Sequence, residues 1–275
     1  MKNTVDGWRY YNHAAIPSTP PHVEVNMKPI NDGSIWDVKG ALLARWTTDW
    51  DCKEETNWYY IIKDSPFNLE DFSAKRRKNL RQALKKCVVT KIDPEKHIKQ
   101  LYEVYEAAFS KYIAADNKVS YEQFVERCRE DKENRVEYWG GFAADSNRLI
   151  GYMTVQCHAE YAETCVAKYH PSYLNYRVSD AIHCVVLDYY LNNMKKKYIS
   201  SGSRNINHIT NAQDYKIENF NFRKAYCKLN IIYKPLVRCV VNILYPFRRM
   251  LERLDSVRIV HSIIAILKME EIIRE

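Results

Sequence analysis

The sequence predicts an α/β fold: a mixed, twisted sheet flanked by helices, with an N-terminal half-domain before it and C-terminal helices after it. Three observations predict this. From Arg135 to Tyr233 the patterning runs strand, strand, strand, helix, strand, helix, strand, an order that a mixed sheet with helices on its faces satisfies. Hydrophobic residues make up 46% of the 275, enough for a sizeable core without covalent staples. Glycine and proline are scarce, at 7 and 9, which argues against glycine-loop nucleotide folds and against disorder.

Taken in order, residues 1 to about 66 are rich in aromatics and turns. Leu42 to Trp46 reads as a strand. Trp58-Tyr59-Tyr60-Ile61-Ile62 reads as a buried strand that stops at the turn Lys63-Asp64-Ser65-Pro66. Asn68 is a suitable N-cap for a helix whose apolar positions are Leu69, Phe72, Leu80, Ala83 and Cys87. Val88 to Thr90 is a strand, and Tyr102 to Phe109 a helix. Tyr121 to Cys128 is a further helix, with Ser120 and Gln123 spaced for a capping box. Val136 to Ala143, Leu149 to Cys157 and Tyr161 to Tyr169 are strands, the first two joined by the turn Asp145-Ser146-Asn147. A helix from Tyr176 to Asn192, a short strand closed by Gly202, a helix from Thr210 to Phe220 and a strand from Phe222 to Tyr233 complete the sheet. From Pro235 on the pattern is helical, with Pro246 breaking it in two. The organisation expected is a half-domain over 1–95, a second over 96–234, and amphipathic helices over 235–275.

The net charge of +8 points to an anionic partner: a phosphate-bearing cofactor, a nucleic acid or an acidic membrane surface. A basic but indifferent surface is the plainer alternative. The eight cysteines include no C-x-x-C pair, and several fall in apolar runs, so they read as reduced thiols rather than a zinc site or a disulfide frame; no metal is expected. The start of the chain has no apolar signal core and no run reaches membrane-spanning length, so the expected location is cytoplasmic, at most on the inner face of the membrane.

Seven basic residues and no acidic one lie between Lys75 and Lys86. Arg77 and Arg81 fall one turn apart on one helical face, where two guanidiniums can clamp a phosphate; a solvated basic face is the alternative. Arg76 falls on the apolar stripe of the same helix, so it requires a carboxylate from another segment. The helix beginning near Tyr176 offers free backbone N–H groups, with Arg177 and Ser179 beside them, for a pyrophosphate or an oxyanion; an ordinary capped helix is the alternative. The polar loop from Ser203 to Asn211 follows a strand end, where α/β sheets place chemistry, and makes His208 a candidate base. Asp49 and Asp51, between Trp46 and Trp50, are rival bases. Tyr11, His13 and Trp50 mix rings, imidazole and neighbouring carboxylates in a way that suits a sugar or peptide acceptor, although tryptophans also fill interiors. The C-terminal helices carry an apolar stripe and arginines suited to a partner, a homodimer or an anionic membrane.

Three stretches carry a family resemblance. Ser73-Ala74-Lys75-Arg76-Arg77-Lys78-Asn79-Leu80-Arg81 is similar to the Ser-x-Lys-x-Arg-x-x-Ile-Arg helix of Fem-type proteins. Asn175-Tyr176-Arg177-Val178-Ser179-Asp180 leads the helix at which GNAT proteins hold the carrier's pyrophosphate. Asn211-Ala212-Gln213-Asp214-Tyr215-Lys216-Ile217-Glu218-Asn219-Phe220-Asn221-Phe222 looks like the Asn…Tyr-x-x-x-Gly-Phe signature of the GNAT C-terminus. Over roughly 70–233 the chain thus resembles the GNAT superfamily of acyltransferases, and within it the Fem-type aminoacyl transferases, which carry two GNAT-like halves. The resemblance implies acyl transfer from a thioester donor of the acyl-CoA (acetyl-CoA) kind to an amine or hydroxyl of a sugar, peptide or envelope-glycan precursor. It implies carrier contacts at Arg177, Val178, Ser179, Arg204, Asn211, Tyr215, Arg77 and Arg81, and places Lys216 near a lysine that supports the transition state. Two departures stand out: the glycines of the GNAT pyrophosphate loop are absent, and Asn221 replaces the glycine before Phe222. They give weight to a charged tRNA as donor, and to a non-catalytic GNAT-like scaffold as a third reading.

Overall fold

The computed structural model describes residues 4–110, 118–206, 211–252 and 258–275. In chain order it begins with β1 (Thr4–Val5), β2 (Trp8–Tyr11), β3 (Ala14–Pro17), the single-turn helix α1 (Lys28–Asn31), β4 (Leu43–Thr48) and β5 (Trp58–Lys63). There follow α2 (Ala74–Lys86), β6 (Cys87–Ile92), α3 (Ile98–Phe109), α4 (Tyr121–Glu133), β7 (Val136–Ala143), β8 (Leu149–Cys157) and β9 (Tyr161–Tyr169). Then come α5 (Val178–Leu187), β10 (Tyr198–Ser203), α6 (Ala212–Phe220), β11 (Arg223–Tyr233), α7 (Pro235–Leu244), α8 (Arg248–Leu251) and α9 (Arg258–Arg274).

The helix expected from Asn68 is two elements. The Asn68 side chain accepts a hydrogen bond from the Glu70 N–H and caps a short 3-10 turn, Leu69–Asp71. Phe72 is extended, and Ser73 then caps α2 by accepting from Arg76 N–H. At α4 the capping box forms as the spacing requires, with Ser120 and Gln123 each bonding the other's backbone. Asn221, where the resemblance calls for glycine, has φ 56°, a left-handed conformation that asparagine tolerates better than most side chains. Pro246 lies in a 3-10 turn, Tyr245–Phe247, between α7 and α8.

The chain forms two compact units. The first comprises Met1–Tyr60, Ser203–Asn211 and Lys224–Glu275. Its strands run β1, β2 and β3 antiparallel, then β3 to β4 parallel, then β4 to β11 antiparallel. β1–β3 lie outside the strands expected from the sequence. The β1–β2 hairpin turns at Asp6 and Gly7, both at positive φ, a signal the sequence does carry, whereas β2–β3 turns at Asn12 and His13, both at positive φ and neither glycine. Trp8, Ile35, Val38 and Ala44 bury one small core, and Trp58, Leu229, Tyr233 and Leu267 belong to a second against the C-terminal helices.

The second unit comprises Ile61–Gly202 and Ala212–Arg223. Strands β6, β7, β8 and β9 form an antiparallel meander, and β10 joins β9 in parallel. Helices α3 and α4 bury Leu101, Tyr105 and Phe124 with Tyr138 and Tyr152 of the sheet. Helix α5 buries eight of its ten residues, of which Val178, Ile182, Val186 and Leu187 each contribute about 1.5–3 kcal/mol. Two glycines let it sit so close. A Cβ on Gly141 would stand 2.6 Å from a Val178 methyl, and one on Gly151 would stand 3.1 Å from the same methyl. Gly141→Ala is therefore expected to lower stability by about 1–3 kcal/mol, read as an earlier urea-unfolding midpoint, because α5 must shift to make room.

Candidate active site

Two features of the second unit stand out, one at a strand end and one at a helix end. The first is a gap between parallel strands. Pairs between β9 and β10 run Tyr161↔Tyr198, Ala162↔Ile199 and Glu163↔Ser200 and go no further, although β9 continues to Tyr169 along β8. Beside the point of parting, β9 carries a bulge: Met153 pairs Ala167 but Val155 pairs Thr164, so one extra residue bends β9. The Val166 N–H is met by the Thr154 hydroxyl at 3.0 Å rather than by a ladder carbonyl.

Lys216, on α6, sends its amine to this point. Nζ donates to Thr164 Oγ1 of β9 at 2.8 Å and to Ser201 Oγ of β10 at 2.7 Å. The residue is 8% exposed, and burial pushes its pKa down to about 8, with the charge of Cys165 and Glu163 resisting. An ammonium carries three N–H donors, so two hydroxyls leave one for a further acceptor.

Next to it lies His183 of α5, stacked on Phe220 at 4.8 Å. Its Nδ1 bonds the Ser179 carbonyl at 2.7 Å, so that nitrogen carries the proton, and buried Nε2 has no hydrogen-bond partner among the described residues. Burial and then the Lys216 charge lower its pKa to about 3. Because the folded value lies below the ordinary 6.5, the unfolded chain binds more protons between these values. Stability is thus expected to fall by about one proton's slope as pH drops from 6.5 towards 3; that slope should vanish in His183→Phe, measured by denaturant unfolding across pH.

The second feature is a cavity of about 450 Å³ at the start of α5. Lys75, Arg76 and Asn79 of α2, Arg177 and Ser179 at the start of α5, and Tyr215 of α6 line it, with Asp180 at its floor. The chain reaches α5 through a 3-10 turn, Pro171–Tyr176, and Arg177 at φ 57° takes the N-cap position with no side-chain cap, so the first-turn amides have no intrahelical acceptor.

Asp180 is the hub. Arg76 grips it bidentately, Nη1 to Oδ2 at 2.9 Å and Nη2 to Oδ1 at 2.8 Å, and the Tyr215 hydroxyl donates to Oδ1. Burial opposes the Arg76 charge, but its bonds and attraction to Asp180 prevail and raise its pKa. Burial, then the Asp180 charge, raise that of Tyr215. Arg76 also donates from Nε to the Asn219 carbonyl at 3.3 Å and lies over the Phe220 ring. With one carboxylate against Lys75, Arg76 and Arg177, the cavity is net cationic.

The expected residues divide. Arg177, Ser179 and Tyr215 meet at the cavity, while Val178 is buried against the glycines as a packing residue. Arg77 and Arg81 share a face as predicted, but both are held by Glu70, Arg81 at 2.7 Å, and Arg77 also bonds the Phe72 carbonyl; they do not line the cavity, and Lys75 and Arg76 do. Asp49 is exposed and ion-paired to Lys228 at 2.9 Å, and both it and Asp51 sit at φ 55°, where aspartate serves turn geometry. Tyr11 and His13 flank the β2–β3 turn, Tyr11 under Arg9 and His13 against Tyr10. Trp50 packs on Tyr60 and His22. Arg204 belongs to the first unit, its guanidinium on the Asn57 carbonyl, and Asn211 is exposed in the same unit. His208 lies outside the described residues. Asp180, Lys75 and Asn79 were not singled out from sequence. The signal for Asp180 was present: a buried arginine without a local partner, and a carboxylate in the first turn of a helix predicted to cover the sheet.

No protein-family model and no curated protein matches the chain. Among solved structures, FemX superposes with a TM-score of 0.53 at 7% identity over 79% of this chain and 81% of that one. L-PGS from Bacillus licheniformis gives 0.50 at 9% identity over 86% and 83%. At these identities the likeness is one of fold, and the fold is the Fem-type, GNAT-like α/β fold expected from the sequence.

Proposed function

We propose that this chain is an acyltransferase in which the Lys216 ammonium stabilises the oxyanion formed on the donor's acyl carbonyl. The observation that carries the reading is a buried, hydroxyl-held amine at the place where β9 and β10 part. An amine or hydroxyl acceptor adds to the acyl carbon. The tetrahedral intermediate collapses with cleavage of the carbon–sulfur or carbon–oxygen bond to the carrier. The leaving atom takes the bonding pair, and the proton lost by the acceptor ends on it, so the transfer involves no redox change. A positive donor fixed in a water-poor site acts on the developing charge more strongly than it would in water. The cavity at the start of α5 suits the carrier's phosphates, with Arg177, Lys75 and the first-turn amides as donors.

An acyl thioester of the CoA class is the first donor to test. A charged tRNA is the second reading, favoured by the exposed lysines of α2 (Lys75, Lys78, Lys85) and by the absent glycine loop. Thermal-shift titration of the purified protein with acyl-CoA species and with aminoacyl-tRNA, followed by transfer assays at two salt concentrations, separates them. Phosphate contacts along a nucleic acid make binding fall steeply with salt, and a CoA-sized donor shows a shallower slope. Absence of stabilisation and of turnover with either donor would discard the acyltransferase reading in favour of a scaffold.

A further inference from the structure

The helical stretch 235–251 presents two different faces. Its inner side chains, Val237, Val241 and Leu244, pack into the core of the first unit. Its outer face carries Leu236, Val240, Ile243, Phe247 and Met250 at spacings of four, three, four and three, so they form one stripe. All five are exposed, Leu236 by 83% and Ile243 by 66%. Scattered exposed apolar residues need no explanation, but five aligned over more than three turns make a patch.

The charge around the stripe selects its partner. No Asp or Glu occurs from Asn219 to Leu251, while Lys234, Arg238, Arg248 and Arg249 fall within or beside the stretch. Arg238 and Arg248 are engaged by Glu270 and Glu271 of α9, and Arg249 is exposed. A second copy docked by the same stripe across a two-fold axis would bring like charges together, since the carboxylates beside the stretch, Glu252, Glu270 and Glu271, already lie against Arg248 and Arg238. An anionic lipid surface answers both properties: headgroups meet the cations, and the aliphatic and aromatic tips enter the acyl boundary. None of the described helices is long and apolar enough to cross a membrane, so the contact is one of lying on the surface. We infer that the outer face of 235–251 is a docking surface for an anionic bilayer.

Vesicle flotation with the full chain tests this, using phosphatidylcholine vesicles with and without about one part in four of phosphatidylglycerol. The expected result is binding to the anionic vesicles that weakens in pure phosphatidylcholine and at high salt. Ile243→Glu and Phe247→Glu are expected to reduce it at least tenfold or so, since each puts a charge where an apolar tip should insert. Both side chains are exposed, so circular dichroism and the melting temperature should stay at wild-type values. Three outcomes would overturn the inference: no binding to anionic vesicles, binding that both substitutions leave unchanged, or a concentration-dependent dimer that both substitutions dissolve. The assay reads binding alone and so is separate from any loss of transfer activity.

Discussion

Lys216→Met is expected to lower acyl transfer by about 10²-fold or more while leaving the protein at least as stable as the wild type. The two halves of that expectation have one cause. A buried ammonium is stabilised less than one in water, which is why the Lys216 pKa falls to about 8. At neutral pH the folded chain holds the charge at a cost that the unfolded chain does not bear. Methionine fills similar volume without a charge, and the gain is expected to be about 1 kcal/mol or more. Thr164 Oγ1 still donates to the Ser200 carbonyl at 3.2 Å after the change, so that hydroxyl keeps a partner. A lysine that served structure alone would give the opposite stability result. The pH dependence is a second check. For Lys216 the folded pKa lies below the ordinary 10.5, so unfolding takes up a proton between about 8 and 10.5, and stability rises with pH across that window. Transfer is expected to fall through the lower edge of the same window as the ammonium is lost. Single-turnover rates and denaturant unfolding, each across pH in the wild type and the methionine variant, measure both.

Asp180→Ala is expected to destabilise the second unit by about 3–5 kcal/mol, the largest single loss we foresee from a polar substitution. It removes the acceptor of two Arg76 bonds and of the Tyr215 hydroxyl at once. The Asp180 side chain is 6% exposed and that of Arg76 15%, so water cannot fully replace the lost carboxylate. Removing both partners leaves no orphan charge. Arg76→Met with Asp180→Leu should therefore recover a large share of the loss, and a double-mutant cycle by urea unfolding yields the coupling. A cycle without coupling would mean that the pair contributes little beyond its packing.

That pair also shows how far the sequence was legible. Helical spacing put Arg76 on the apolar stripe of α2, and elementary electrostatics then required a carboxylate, but nothing local names a partner 104 residues away. Strands β7, β8 and β9 were readable to the residue because apolar and aromatic runs are bounded by polar turns. The strands β1–β3 were not: they are only two to four residues long, and although Asp6-Gly7 carries a hairpin signal between β1 and β2, the β2–β3 turn at Asn12 and His13 has no glycine. Arg77 and Arg81 illustrate the reverse error. Their shared face was right, but Glu70, in the turn before α2, already occupies it. Lys216 was placed by resemblance, whereas its burial between two hydroxyls needed the strands to be seen parting. Gly141 and Gly151 looked like ordinary strand glycines until α5 lay across them.

The return of the chain to its first unit has a consequence during synthesis. Leu43–Thr48 of β4 pairs with Lys228–Tyr233 of β11, so about 180 residues separate the two partners. At ribosomal speeds of about 5–20 residues per second, that edge waits about 10–40 seconds for its neighbour. A nascent chain that stalls near residue 220 exposes an apolar strand to any other strand nearby, and such a truncation is a natural client for chaperones. The meander from β6 to β9 meets no such delay, since its partners emerge one after another.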